Sequence, residues 1–193
     1  MTKLITVCVG AIFLIAGHSA LAQTTTPATT SEGVRLFRAG NYADSIVQLE
    51  QVVAANKKDY TGWTYLGASY LHAGRIKEAL KAFENARRRG AVYFNSTPNN
   101  RDGNQSVKLI NPPRPDMTQQ TQAPFSLRVT VAIEFLQDNT IGFVFPVSEL
   151  LKDQRDAAIS IARWLKFAPA VEGGKPVTSV LLYDYDIRQP AGR

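Results

Sequence analysis

A 34-residue internal repeat constrains this chain more than any other feature of it. Gly33 recurs as Gly67, Leu36 as Tyr70, Gly40 as Gly74, Ser45 as Ala79, Leu49 as Phe83 and Val52 as Ala86. A period of that length points to stacked helical hairpins, each unable to bury its apolar face alone. The residue types fit that geometry. Gly67 and Ala79 are small because two helices must approach closely, while Trp63, Tyr70 and Phe83 fill the space around them. These are core residues rather than a cofactor box. Two hairpins are fewer than the three usually needed for a continuous core, so something else must cap them.

In the second copy Trp63, Leu66, Gly67, Tyr70, Ala79, Phe83 and Ala86 stand in the order of the tetratricopeptide pattern, and residues 31–91 resemble two repeats of that family. The first copy departs from it, with Thr29 at the Trp position and Ser45 for the small Ala, and its first helix is expected to be short. Ala91 stands where the pattern usually has Pro. The resemblance implies that Val34, Phe37 and Arg38, with Thr64, Ala68, Leu71 and His72 of the second copy, line a concave groove for a protein or peptide segment.

The chain begins with Lys3, an apolar run over residues 4–16 and the small-x-small triplet Ala20-Leu21-Ala22, which together describe a secretory signal over residues 1–22. An uncleaved anchor is the alternative, since the segment nearly reaches the roughly 20 apolar residues that span a bilayer. Cys8 lies in this leader, so a processed chain has no thiol for disulfides, catalysis or metal binding. Its one remaining histidine, His72, is too few for a metal site, which usually needs three or four ligands. Loss of Lys3 leaves 21 basic against 16 acidic residues, with much of the excess at Lys57, Lys58, Arg75, Lys77, Lys81 and residues 87–89. A solvated helix face explains this surplus, and an anionic membrane surface or cell-wall polymer is the other reading. Nucleic acid is not expected of an exported protein.

Residues 23–30 read as a flexible lead and 92–107 as a linker, broken by the apolar cluster Val92, Tyr93 and Phe94, a candidate for the missing cap. Residues 106–110 suit a short strand, and the Pro-rich stretch 111–123 an extended connector. From Leu127 to Phe135 apolar and polar positions alternate, as they do from Ile141 to Val147, and Gln137-Asp138-Asn139-Thr140 can make the tight turn between them. Ala158, Ile161, Ala162 and Leu165 form one face of a helix that Asp153 is expected to cap and Pro169 to stop. Gly173 and Gly174 then permit a turn into a strand over 177–187. The expected class is α+β, helical hairpins followed by an antiparallel sheet with one packed helix, in the order ββαβ.

Residues 108–188 resemble the C-terminal domain of the TonB family, through this strand-turn-strand-helix order, Phe167-Ala168-Pro169-Ala170, Gly174, Pro176 and Val177. Asn139 replaces the usual hairpin glycine, and the family's long Pro-rich spacer is missing. Residues 189–193 are a tail. The resemblance implies a periplasmic domain that takes segments of outer-membrane receptors by adding a strand to its sheet. The candidate edge carries Val177, Ser179, Leu181, Tyr183 and Tyr185; the alternative is that this strand is internal. Asp184 and Asp186 on its other side read as solvated charges that discourage edge aggregation. No nucleophile-base pair, phosphate-cradling loop or cofactor motif emerges, and Asp153 and Asp156 suit a helix N-terminus. The expected function is non-enzymatic protein binding in the periplasm, with a cell-envelope assembly scaffold or a peptidoglycan-associated structural role as the alternative, the latter allowing homo-oligomers.

Overall fold

A computed structural model describes residues 28–90, 92–94, 106–111 and 125–189. The segment expected to be a signal, most of the expected lead, the greater part of the expected linker, the Pro-rich stretch and most of the tail lie outside the described residues. Among those described, no helix is long and apolar enough to cross a membrane.

Four helices come first, α1 (Thr30–Arg38), α2 (Tyr42–Ala55), α3 (Tyr60–His72) and α4 (Ile76–Arg88). α1 has nine residues against thirteen in α3. Each pair turns on a glycine in the left-handed region, Gly40 at φ +79° and Gly74 at φ +73°. Inside each pair a second glycine lets the helices close. A Cβ on Gly67 would stand 2.7 Å from Phe83 Cδ1, and one on Gly33 would strike Leu49, the same contact 34 residues earlier. Ser45, fully buried, donates to Gly33 O at 2.9 Å and lies 2.9 Å from Ser69 Oγ, so a hydroxyl replaces packing at that position.

The rest of the chain is mostly sheet. β1 (Val92–Phe94), β2 (Lys108–Asn111), β3 (Phe125–Phe135) and β4 (Ile141–Pro146) precede α5 (Lys152–Arg163), and β5 (Lys166–Ala168), β6 (Ala170–Glu172), β7 (Lys175–Val177) and β8 (Ser179–Gln189) follow it. The main sheet has the order β1-β8-β3-β4. β3 is antiparallel to both of its neighbours, and β1 runs parallel to β8. β2 pairs with β5, and β6 with β7 across a turn in which Gly173 and Gly174 both have positive φ. Asn139 takes φ +67° between β3 and β4, and Asp138 accepts from the Thr140 amide at 3.0 Å. The class is α+β.

Several boundaries differ from expectation. α5 starts at Lys152 after Leu151, whose amide donates to Gln154 at 3.0 Å, so Asp153 sits inside the first turn instead of capping it. The helix stops at Arg163, well ahead of Pro169, because Lys166–Ala168 leaves to pair with β2. The strand expected over 177–187 divides, Val177 ending β7 and Ser179 opening β8.

The largest correction concerns the sheet's second face. α5 covers one side through Ala158, Ile161 and Ala162 against Val129, Val131, Ile133 and Tyr183. The other side, expected to be wet, packs on the helical hairpins: Ala132, Val147, Val180 and Leu182, with the half-buried Phe143 and Phe145, join the core of Phe37, Leu66 and Phe83. The cap that two hairpins need is therefore the sheet itself, and β1 is a strand of it. Apolar burial on both faces explains why Val129 to Phe135 are buried without a break.

Candidate functional site

Four of the seven residues expected to line an open groove, Phe37, Ala68, Leu71 and His72, pack in the joint between helices and sheet instead. Phe37 and Ala68 are buried and Leu71 is packed against the helical core. The His72 ring stacks on Tyr42 at 4.2 Å and meets Phe143 edge-on at 5.7 Å. Its Nε2 lies 3.0 Å from Oε1 of Glu134, a carboxylate only 4% exposed, while the imidazole is 28% exposed. Glu134 reaches this position because residue 142 is glycine; a Cβ there would collide with the Glu134 carboxylate. Burial first, and then the charge of Glu134, raise the Tyr42 phenol above its ordinary pKa. The concave face is thus a filled joint.

β8 is likewise not a free edge. β3 pairs along its whole length on one side, and on the other β1 takes Leu182, Tyr183 and Asp184. Where β1 does not reach, side chains from the helices take over. Arg38 Nε donates to Thr178 O at 2.9 Å, its Nη1 pairs with Glu172, and the Tyr65 hydroxyl meets the Val180 backbone. Burial pushes the Tyr65 phenol up, with the Arg38 guanidinium pulling the other way. A row of backbone groups that would otherwise template a further strand is closed by two side chains.

Beside this strip lies a cleft of about 820 Å³ between α1, α3 and the β6–β7 hairpin. Ser179, Val180, Leu181 and Leu182 all border it. Side chains of consecutive strand residues alternate between faces, so it is the edge of β8 that meets the cleft. Six of the expected binding residues converge here, Val34, Arg38 and Thr64 from the groove set and Val177, Ser179 and Leu181 from the strand set. Thr64 is otherwise occupied, its hydroxyl donating to Tyr60 O at 2.8 Å. Ser179 Oγ is buried and has no partner among the described residues.

Tyr183 and Tyr185 share the Leu181 side of β8 and lie under α5, away from the cleft. The Tyr185 hydroxyl donates to Ala158 O, and burial raises its phenol; the Tyr183 hydroxyl is buried without a partner among the described residues. Asp184 is not simply solvated, since Thr130 Oγ1 donates to it at 2.5 Å. The side chain of Asp186 is outside the described set.

The strand that does end the sheet is β4. None of its residues is fully buried, in contrast to β3. The Val147 amide donates inward to Thr130 O at 2.8 Å, and strand alternation then turns the Val144 backbone outward. Helical residues and α5 flank this edge, Phe145 meeting Phe83 at 5.7 Å on one side and Val144 joining the α5 core on the other. Sequence reasoning placed the strand β4 but not its position at the end of the sheet, and it missed Glu134 and Tyr65 as parts of the joint. A signal existed for β4, since Phe143, Val144 and Phe145 are apolar in succession and so lie on both faces; nothing local marks the other two.

Among the described residues no group of three or more His, Cys, Asp or Glu is placed to hold a metal ion. No known family model matches this chain, and no curated protein matches its sequence.

Proposed function

We propose that this is an exported, periplasmic protein-interaction module without catalytic activity, in which tetratricopeptide-like hairpins brace a TonB-like domain that holds an extended segment of a partner, such as an outer-membrane receptor. The observation that supports this reading is the outer edge of β4, terminal in the sheet and walled by α4 on one flank and α5 on the other. An added strand gains main-chain hydrogen bonds there, and alternate side chains find the two flanks. β8 is the poorer acceptor because β1, Arg38 and Tyr65 already hold its outer groups. Cofactors and covalent chemistry have no part in this reading.

The test is peptide binding with proline placed in β4. Val144→Pro removes an outward amide, whereas Val144→Ala keeps it. Saturable binding of an extended peptide is expected to survive the alanine and vanish with the proline, with circular dichroism checking that both variants fold. Binding that persists in the proline variant sinks the β4 assignment. The filled concave face favours a second reading, an envelope-assembly scaffold whose helices support the sheet and contact no receptor. That role predicts self-association or cell-wall polymer binding indifferent to both substitutions.

A further inference from the structure

The cleft beside β8 joins two cores that the sheet otherwise separates. Val34, Tyr65, Val180 and Leu182 border it from the helical core, and Val107, Ala170, Val177 and Leu181 from the core under α5. Its volume of about 820 Å³ falls within the roughly 300–1,000 Å³ of small-molecule sites. The charged groups of its wall are already engaged with one another. Glu32 and Arg35 bond at 2.6 Å, Arg38 is held by Glu172 and by Thr178 O, and Thr30 donates to Asp59 just behind the wall. Lys175, the third cation, stands exposed at the rim, opposite Glu172 in the hairpin register. Deeper in, the Thr64 hydroxyl donates to Tyr60 O and the Tyr65 hydroxyl meets the Val180 backbone. Ser179 differs from both. It is only 7% exposed, and its Oγ is buried with no partner among the described residues.

We propose that the cleft binds an uncharged aliphatic molecule with one hydrogen-bonding group, its chain lying between the two cores and its polar atom on Ser179 Oγ. A buried hydroxyl without a partner costs free energy, and a single polar atom of a ligand removes that cost. An anion would have to draw Arg35 or Arg38 from its carboxylate, or settle for Lys175 at the rim, where water screens the attraction. An extended peptide brings a donor and an acceptor with nearly every residue, whereas the floor of the cleft leaves one side-chain hydroxyl to meet them. The apolar walls suit an alkyl chain, which asks for no hydrogen bonds along its length. The inference does not rest on strand addition, because β3 stands between β8 and β4.

The probe is 1-octanol, a straight alkyl chain with a single hydroxyl, titrated into the full chain and followed through amide NMR shifts. Saturable shifts confined to Thr64, Val107 and residues 177–181 are expected, with a melting temperature that rises as the probe accumulates. Ser179→Ala should weaken binding about tenfold, the usual effect of losing one hydrogen bond, and leave the unliganded protein no less stable, since it removes an unpartnered hydroxyl. Val171→Phe, at the cleft wall, should abolish binding by filling the space, with circular dichroism checking the fold. Should that variant not fold, the alanine variant decides. Shifts that scatter over the molecule or never saturate overturn the proposal, as does binding that Ser179→Ala leaves untouched. Octanoate bound as tightly as octanol overturns it too, because a cation of the wall would then be holding the head group.

Discussion

Gly67 has no room for a side chain, and the reason is a single ring: Phe83 occupies the place a Cβ would take. Phe83 is fully buried, with Phe145 against it, so it has nowhere to retreat. Gly67→Ala is expected to lower stability by about 1–3 kcal/mol, the usual cost of overpacking, read as a lower urea midpoint at unchanged slope. A value near zero would mean that α3 and α4 can slide apart freely. This pair was legible in the sequence, because the small residue and the large one recur together at the repeat distance. Asn139 was legible too, its left-handed conformation being a local property of the turn. Glu134 was not. Its partner His72 is 62 residues away, and an acid at a polar strand position gives no hint that a second layer will bury it.

Among the elements, β8 teaches most. Its odd positions announced one buried face, and the alternation was read as leaving the other to water. Val180, Leu181 and Leu182 are nonetheless apolar in succession, which is how a strand covered on both faces reads. Strand order stayed hidden because pairing partners are set by distant segments: β1 comes from just beyond the last helix of the hairpins. α5 was recognised from its period, but its end was not, since the competing bond to β2 is non-local. The convergence of Arg38 and Val34 with Ser179 on one cleft was equally invisible, the first two having been assigned to one domain and the third to another. Arg38 is the element-level fastening, so Arg38→Met should leave Thr178 O and Glu172 without their partner. The expected result is a loss of about 1 kcal/mol and faster hydrogen exchange confined to the start of β8. Unchanged exchange there would show that Tyr65 and β1 close the edge without it.

At the level of the molecule, the two sequence blocks share one core, with Ala132, Val180 and Leu182 of the sheet among Phe37, Leu66 and Phe83 of the helices. Two domains joined by a linker would melt apart, whereas a shared core couples them. Thermal or urea unfolding of the chain is expected to be a single transition in which far-ultraviolet dichroism and tryptophan fluorescence coincide. Separate midpoints would contradict the shared core.

Time enters through the pairing of Val92 with Leu182, which are about 90 residues apart. At some 5–20 residues per second, roughly 5–20 seconds of synthesis separate the finished hairpins from the strand that covers them. Until β8 is in place Phe37, Leu71 and Phe83 have no sheet over them, and the half-formed protein is at its most adhesive. Whatever escorts the nascent chain must grip that face and let go when β8 arrives.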